Sequence, residues 1–256
     1  MAAGILETFD LKDRVALVTG ASSGIGQAIA VALAEAGAEI VAVGRSEPMA
    51  TAEMVRAAGR RLHAIRADLA ARPDPNDLVE NVVDHFGRLD ILVNNAGIIR
   101  RAAALELSED DWDEVIDVNL RSVFFLSQAA ARAMLRLSGR GKIINICSML
   151  SFQGGIRVAS YTASKSGLLG LTRNLANEWA AQGINVNAIA PGYFETNNTA
   201  PLRADAERSA DILKRIPAGR WGKPTDLAGA AVFLASRASD YVHGAVLPVD
   251  GGWLAR

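Results

Sequence analysis

The feature that most constrains the fold is the glycine-rich stretch over residues 19–26, which reads Thr-Gly-Ala-Ser-Ser-Gly-Ile-Gly. An apolar run typical of a buried strand, residues 15–18, precedes it, and a helical pattern over residues 27–36 follows. Glycines let the backbone turn tightly and approach a pyrophosphate, which is stabilised at the positive N-terminus of a helix. Strand, glycine turn and helix together predict a dinucleotide-binding unit rather than a turn that only packs helix on strand.

Short apolar runs alternate with longer stretches of helical period along the rest of the chain. Strands are predicted at residues 15–18, 40–43, 62–65, 91–93, 143–146, 184–188 and 246–249. Such alternation predicts a doubly wound, Rossmann-type α/β fold, with a parallel sheet covered by helices on both faces. No linker or repeat divides the sequence, so we expect a single domain over residues 1–256. We expect its cofactor half at about 10–150 and its catalytic and substrate half at about 151–256.

Tyr161 and Lys165 stand four residues apart in the stretch Tyr-Thr-Ala-Ser-Lys, within a helix predicted over residues 159–181. At this spacing two side chains share one helix face, one turn apart. A free phenol has a pKa of about 10, and a neighbouring ammonium favours the phenolate and lowers that pKa. The pair therefore predicts a general acid–base group, although Tyr and Lys also meet at this spacing by chance.

The composition and the first residues argue against several other classes of protein. The net charge is −1 and no long basic block is present, which disfavours nucleic acid or an anionic membrane as the main partner. No charge-free run approaches the length of a membrane span, and residues 1–10 lack the pattern of a secretory signal. The single cysteine, Cys147, rules out an intrachain disulfide. We expect a cytoplasmic protein with no metal site.

Further motifs follow the predicted strands. They are Asp68-Leu69 after the third strand, Asn94-Asn95-Ala96-Gly97 after the fourth, Pro191-Gly192 and Thr196 after the sixth, and Asp250-Gly251-Gly252 after the last. With the glycine turn and the Tyr-Lys pair, they make the chain resemble the short-chain dehydrogenase/reductase family over essentially its whole length. The resemblance implies an oxidoreductase that uses NAD or NADP.

The resemblance also implies a catalytic tetrad, all four members of which are present. Tyr161 would be the acid–base, and Lys165 would lower its pKa and hold the nicotinamide ribose. Ser148 would hydrogen-bond the substrate carbonyl or hydroxyl. Asn119 would lie in a helix, beside a water that links Lys165 to solvent. An intact tetrad predicts an active enzyme.

The cofactor contacts that the resemblance implies lie after successive strands. They are Gly20, Ser22, Ser23, Gly24, Ile25, Gly26, Arg45, Asp68, Leu69, Asn95, Ala96, Gly97, Tyr161, Lys165, Pro191, Gly192, Phe194 and Thr196. A carboxylate at the end of the second strand would favour NAD, but Gly44 stands there with Arg45 beside it. Arginine binds a phosphate bidentately, so the sequence favours NADP, with NAD as the alternative and with adenine stacking or solvent exposure as other roles for Arg45.

Within the family, several stretches resemble the sugar-acid dehydrogenases, the group of 2-deoxy-D-gluconate 3-dehydrogenase and gluconate 5-dehydrogenase. They are residues 94–101, 148–165, 192–203 and 216–222 and the terminal DGGWLAR. A polyhydroxy acid needs polar partners, and the candidates for substrate contacts are Ser148, Arg101, Gln153, Arg157 and Asn198, with Arg101 and Arg157 favoured for the carboxylate. Residues 201–215 predict a polar helical flap, and Trp221 and Trp253 are expected to pack rather than touch substrate.

Two other functions stay open on the sequence. A 3-oxoacyl thioester reductase would share the tetrad and the NADP preference, but its acidic carrier protein would want a basic surface that the balanced charge does not provide. A non-catalytic NADP-binding sensor is opposed by the intact tetrad. Members of the family are commonly tetramers, and the helical stretch over residues 120–137 suits such an interface, so we expect a homotetramer.

Overall fold

Seven parallel strands form one sheet in the computed structural model, which describes residues 4–255, in the order β3-β2-β1-β4-β5-β6-β7. The strands are β1 (Val15–Thr19), β2 (Glu39–Gly44), β3 (Leu62–Arg66), β4 (Ile91–Asn94), β5 (Gly141–Ile146), β6 (Ile184–Pro191) and β7 (Val246–Val249). Each predicted strand is present, and the Rossmann-type fold predicted from the alternation is confirmed.

Nine α-helices cover the sheet within residues 4–255. They are α1 (Gly24–Glu35), α2 (Met49–Ala57), α3 (Pro75–Phe86), α4 (Glu109–Ile116), α5 (Ser122–Ser138), α6 (Ala159–Trp179), α7 (Ala200–Ala204), α8 (Ala206–Arg215) and α9 (Ala228–Ala235). The predicted flap over residues 201–215 is two helices, because Asp205 ends α7 and caps α8 by accepting from the Arg208 amide at 3.0 Å. No helix among residues 4–255 is both long and apolar enough to cross a membrane.

The hydrophobic core lies on both faces of the sheet, and β1 shows how the sequence divides it. Ala16 and Val18 pack toward α1 and α9, whereas Val15 and Leu17 pack toward α3, α5 and α6. Since successive strand residues point to opposite faces, an unbroken apolar run is what a strand buried on both sides requires. This burial fixes the register and hence the positions of the loops.

The strand order changes direction between β1 and β4. Strands β2 and β3 lie on one side of this pair, and β5, β6 and β7 lie on the other. In open parallel sheets, a crevice forms at such a point outside the carboxyl ends of the strands. The glycine turn follows β1, and the Asn94-Asn95-Ala96-Gly97 turn follows β4. The fold therefore brings these two motifs together.

A buried polar network joins β4, β5 and α6 below the crevice. Asn94 Nδ2 donates to Asn145 Oδ1 at 2.9 Å and to Ser127 Oγ at 3.0 Å. Asn145 Nδ2 donates in turn to Thr172 Oγ1 at 3.0 Å. All four side chains are buried, so each bond replaces one that water would otherwise make, and the network sets α6 against the strands.

Candidate active site

A cavity of about 420 Å³ lies at the carboxyl edge of the sheet. It brings together most of the residues singled out in the sequence: Gly20, Ser22, Ser23, Gly24, Ile25, Gly26, Arg45, Asp68, Leu69, Asn95, Ala96, Gly97, Ser148, Tyr161, Lys165, Pro191, Gly192, Phe194, Thr196 and Asn198. Four predicted residues are absent from this lining: Asn119, Arg101, Gln153 and Arg157. The cavity therefore has a glycine-turn end and a Tyr-Lys end.

The glycine turn needs glycine for two separate reasons. Gly20 and Gly24 have φ angles of +68° and +59°, in the left-handed region that side chains disfavour. At Gly26 the reason is space, since a Cβ would lie 2.3 Å from both the Gly20 carbonyl oxygen and Asn95 Nδ2. The glycine turn thus packs tightly against Asn95, which follows β4, and its own backbone lines the cavity.

Asn95 and Thr19 hold the glycine turn against the turn after β4. Asn95 Nδ2 donates to the carbonyls of Thr19 and Gly20 at 2.9 and 3.2 Å. Thr19 Oγ1 accepts from the amides of Asn95 and Ala96 at 3.0 and 2.9 Å. The two turns therefore form one rigid wall of the cavity.

Beyond the glycine turn, the cavity is lined by Gly44, the last residue of β2, and by Arg45 and Ser46, which follow that strand. Arg45 is exposed and forms no ion pair among residues 4–255, and a Cβ added at Gly44 would meet nothing within 4 Å. Asp68 caps the short turn after β3 by accepting from the Ala70 amide at 3.0 Å. Ser46, a hydroxyl beside Arg45, is a lining residue that the sequence analysis missed, and its signal was the Gly-Arg-Ser triplet itself.

Tyr161 is partly buried and lines the Tyr-Lys end of the cavity together with Ser148. Burial raises the pKa of Tyr161 above its ordinary value, because the phenolate loses hydration, while a hydrogen bond to Ser148 and the charge of Arg101 oppose that rise. The phenol and the Ser148 hydroxyl therefore face the same part of the cavity.

Lys165 is held by the sheet rather than by the phenol oxygen. Its Nζ donates to the Ile146 carbonyl at 2.6 Å and lies 5.7 Å from the centroid of the Tyr161 ring. Burial lowers the pKa of Lys165 to about 8. Lys165 is not among the causes of the Tyr161 pKa shift, so the expectation that its ammonium lowers that pKa stays a prediction.

Asn119 lies within a π-helical turn, Asp117–Arg121, between α4 and α5. Its side chain accepts from the Ile98 amide at 2.9 Å and donates to the Ile98 carbonyl at 2.9 Å and to Ser164 Oγ at 3.2 Å. π-turns inside helices occur frequently at functional sites. Here Asn119 fixes the loop after β4 against α6, and a Cβ added at Gly97 would lie 3.3 Å from its Oδ1 and 3.8 Å from Lys165 Nζ.

Ser151 positions Ser148, and the sequence analysis did not identify it. Ser151 Oγ donates to the Lys165 carbonyl at 2.7 Å and accepts from the Ser148 amide at 3.3 Å. Ser148 Oγ accepts from the Leu150 amide at 3.1 Å. The spacing Ser-x-x-Ser is a capping motif and was the available signal.

The residues predicted to touch substrate divide into two groups. Asn198 lines the cavity, and Arg101 Nη2 donates to its carbonyl at 3.1 Å, so both stand at the mouth. Gln153 instead accepts from Trp253 Nε1 at 3.1 Å, and Arg157 is exposed with a φ angle of +61°. The structure does not bring Gln153 and Arg157 into the cavity, because the loop that carries them turns toward the C-terminal segment.

Trp221 and Trp253 are packing residues, as expected. Both are buried, and both make edge contacts with Tyr193, with ring centroids 5.5 and 4.8 Å apart. Arg215, the last residue of α8, stacks on Trp253 at 4.0 Å from its centroid. The aromatic cluster thus anchors the end of the flap to the C-terminal segment.

Comparison with known proteins agrees with this set of motifs. The family profile described as Enoyl-(Acyl carrier protein) reductase matches residues 20–254. The 2-dehydro-3-deoxy-D-gluconate 5-dehydrogenase of Dickeya dadantii (strain 3937) is 62% identical over 252 residues, which cover 98% of this chain and 100% of that protein. The similarity therefore extends over the cofactor and the catalytic motifs alike.

Solved structures give the same result. A proposed 2-deoxy-D-gluconate 3-dehydrogenase from Agrobacterium tumefaciens with bound NADP has a TM-score of 0.92 at 61% identity, covering 97% of this chain and 99% of its own. A gluconate 5-dehydrogenase from Burkholderia cenocepacia J2315, in complex with NADP and tartrate, has a TM-score of 0.94 at 44% identity, covering 99% and 100%. With the profile and the relatives matching nearly end to end, this chain belongs to the short-chain dehydrogenase/reductase family.

Proposed function

We propose that this protein interconverts a secondary alcohol and a ketone on a sugar acid. We further propose that the sugar acid is 2-dehydro-3-deoxy-D-gluconate and that the alcohol oxidised is its C5 hydroxyl. The observation that carries the proposal is the 62% identity, over 98% of the chain, to a relative named for that reaction. A gluconate 5-dehydrogenase and a proposed 2-deoxy-D-gluconate 3-dehydrogenase among the solved neighbours act within the same class of substrate. We therefore favour a short, carboxylate-bearing sugar over an acyl thioester.

The proposed cofactor is NADP, and the lining residues fit it. The glycine turn at Gly20, Gly24 and Gly26 offers close backbone approach at the N-terminus of α1, which suits a pyrophosphate. At the far end Arg45 has no acidic neighbour from β2, so it suits a 2′-phosphate. When bound, the nicotinamide supplies or accepts the hydride, and the protein contributes position and electrostatics.

Four side chains carry the proposed proton chemistry. Tyr161 takes the alcohol proton in oxidation as the phenolate, the form that the proposed role of Lys165 favours, and returns it in reduction. Ser148 hydrogen-bonds the reacting oxygen and stabilises negative charge on it. Lys165 holds the nicotinamide ribose from its anchored position on the Ile146 carbonyl. Asn119 keeps the loop at Gly97 open beside Lys165 and so gives protons a route to solvent.

Arg101 is the proposed partner of the substrate carboxylate. It stands at the mouth with Asn198, and its charge reaches the Tyr161 phenol. A carboxylate held there would direct the chain of hydroxyls inward toward Ser148, in the orientation that a terminal acid and an inner ketone require. Asn198 is proposed to bond a hydroxyl along this path.

We further propose a cytoplasmic homotetramer. Phe125 on α5 and Trp112 on α4 are large apolar side chains that are 37% and 40% exposed in the single chain. Contiguous exposed apolar surface marks interaction sites, and helices α4 and α5 offer it on one side of the molecule. Light scattering coupled to size exclusion gives the oligomer mass directly.

A substrate panel tests the proposed reaction. Aldonic, deoxyaldonic and ketoaldonic acids are assayed with NADP and with NAD, alongside a 3-oxoacyl thioester, by the absorbance of the reduced nicotinamide. We expect turnover with 2-dehydro-3-deoxy-D-gluconate and its 5-keto product. Turnover of the thioester alone would replace the sugar-acid proposal, and binding of NADPH without turnover of any member would point to a sensor.

A further inference from the structure

A second cavity of about 250 Å³ lies at the opposite edge of the sheet, where the strands begin. It lies near the amino ends of β1, β4, β5 and β6, and its lining includes Arg14, Asp90, Lys142, Asn185 and His243. None of these residues contributes to the cavity at the carboxyl edge. The chemistry proposed above therefore gives this site no role.

Positive charge exceeds negative charge in this lining. The cations are Arg14, Arg140, Lys142 and Arg237, and the anions are Asp10, Asp90 and Asp240. Asp90 is already saturated, since it accepts from Arg14 at 3.0 Å, from the Val15 amide at 3.0 Å and from Arg88 at 2.7 Å. Asp240 accepts from Lys142 at 2.7 Å. Arg140, Arg237 and Asp10 remain, so the surplus of the lining is one positive charge.

Arg140 has no carboxylate partner within residues 4–255, and Arg237 contacts only the Glu7 carbonyl there, at 3.2 Å. Arg140 is also close enough to Lys142 for the two like charges to interact. Burial is the main cause of a lowered pKa at Lys142, and Arg140 lowers it further, while Asp240 opposes both. An anion between these cations would relieve the repulsion.

His243 lines the cavity but does not extend the set of anion-binding groups. Its Nε2 lies 3.1 Å from Asn185 Nδ2, whose two hydrogens also face the carbonyls of Ser239, Asp240 and Val242 at 3.0–3.3 Å. Its Nδ1 is buried without a partner in the described chain and has almost no surface that a ligand could reach. The cations of the lining therefore carry the site.

We propose that this second cavity binds a small polyvalent anion, whose phosphate or carboxylate oxygens are held by Arg140 and Lys142. Its 250 Å³ equals about eight water volumes at ~30 Å³ each, enough for phosphate or a short di- or tricarboxylate and too little for a dinucleotide. Charge-assisted bonds from a guanidinium and an ammonium suit oxygens of either kind. The site is an anion site separate from the proposed NADP site.

The test uses the full chain saturated with NADP, so that the cofactor part of the first cavity is filled before any anion is added, and the variants below distinguish the second cavity from the proposed carboxylate site at Arg101. Inorganic phosphate and citrate are titrated separately by calorimetry and by thermal unfolding, with sodium chloride at matched ionic strength as the reference. We expect a saturable heat and a saturable rise in Tm with phosphate, citrate or both, and none with chloride. Which of the two binds distinguishes a phosphate from a carboxylate ligand.

Two variants assign the binding to these residues. Arg140→Gln alters an exposed side chain without an ion pair in the described chain, and it should weaken the anion about tenfold, since bonds to charged groups contribute ~1.5–3 kcal/mol. Arg132→Gln is the matched control, an exposed arginine on α5 that does not line the cavity, and should change nothing.

The outcomes separate cleanly. Saturable binding that is reduced in Arg140→Gln and kept in Arg132→Gln supports the site. Absence of saturable binding by both anions overturns it, and so does binding that Arg140→Gln and Arg132→Gln weaken equally, since that would reflect general surface charge. Turnover of the sugar acid is not needed for either result.

Discussion

Lys165 Nζ lies 5.7 Å from the centroid of the Tyr161 ring while it donates to the Ile146 carbonyl at 2.6 Å. The two side chains share one face of α6, yet the ammonium is tied to the last residue of β5 rather than to the phenol oxygen. The sheet, and not the phenol, therefore sets where this cation stands. Ser148, which follows the same strand, is the group that bonds the phenol.

Replacing Tyr161 with Phe should abolish proton transfer and keep the binding of NADPH. General acid–base catalysis typically contributes about 10²–10⁴-fold, so kcat should fall by at least ~10²-fold. Steady-state rates and NADPH fluorescence titration measure the two effects separately. Ser148→Ala is the companion variant, and it should also lower kcat while leaving NADPH affinity unchanged, because its hydroxyl faces the reacting oxygen. Near-normal turnover in Tyr161→Phe would contradict the assignment.

Lys165 should make stability rise with pH in a defined window. Its folded pKa is about 8, below the unfolded value of about 10.4. Between these values the unfolded chain holds a proton that the folded chain has released, so the free energy of unfolding rises with pH. Below pH ~8 both states are protonated and the full cost of burying the charge remains. At about 1.36 kcal/mol per pKa unit, the expected total gain is on the order of 3 kcal/mol, of which about 2 kcal/mol is reached by pH 9.5.

Urea unfolding of the wild type and of Lys165→Met, from pH 7 to 9.5, isolates this contribution. Burial raises the pKa of Cys147, so that thiol makes stability fall as pH rises. The charge of Lys165 opposes this rise, so the fall is steeper in Lys165→Met and adds to the same difference. The difference between the two proteins should therefore grow in favour of the wild type above pH 8. Parallel curves throughout would show that Lys165 titrates normally in the folded state.

Much of the fold follows from the sequence because the sheet is buried on both faces. Each strand is a short apolar run, and residues 246–249 were placed at the observed bounds of β7. Helix ends were harder, since they depend on caps. The helix predicted over residues 159–181 ends at Trp179, and a 3₁₀ turn, Ala180–Gln182, follows it.

The site was predictable in its motifs and less so in its electrostatics. The spacing of the glycines and of the Tyr-Lys pair predicted the cavity, because loops that follow parallel strands meet at one edge of the sheet. The desolvation that raises the pKa of Tyr161 could not be predicted, because it depends on burial in the folded chain, which a spacing does not reveal. Gln153 was misplaced for a similar reason, because its partner Trp253 is a hundred positions away in sequence.

Cofactor preference should respond to the end of β2. A Cβ at Gly44 meets nothing within 4 Å, so Gly44→Asp should fold and place a carboxylate where a 2′-phosphate would lie. With Arg45→Ala added, kcat/KM for NADP should fall by about tenfold or more and that for NAD should fall less. Arg56→Ala, at an exposed position on α2 away from the cavity, is the control. An unchanged NADP preference in the double variant would remove Arg45 from cofactor recognition.

Ser151 should act on catalysis through Ser148. Ser151→Ala removes the bonds to the Ser148 amide and to the Lys165 carbonyl, so the turn after β5 should loosen against α6. We expect kcat to fall by about tenfold with little change in the KM for NADPH, since displacements of about 1 Å are costly to alignment. Ser151→Thr restores the hydroxyl and should recover part of the loss. If the role of Ser151 were purely structural, Ser151→Ala would lower the Tm but leave kcat unchanged when kcat is measured 20 °C below the unfolding transition.

Asn145 should be essential for stability rather than for chemistry, since it sits at the centre of the buried network. Asn145→Leu leaves Asn94 Nδ2 without its 2.9 Å acceptor and Thr172 Oγ1 without its 3.0 Å donor, in a region with no access to water. Each buried group left unsatisfied costs about 1–3 kcal/mol, so the free energy of unfolding should fall by ~2–4 kcal/mol. Urea titration measures the loss, and Asn174→Leu, on the exposed side of α6, is the control. A loss below ~1 kcal/mol would mean that the network relaxes around the new side chain, and that α6 is held against the sheet by its apolar contacts alone.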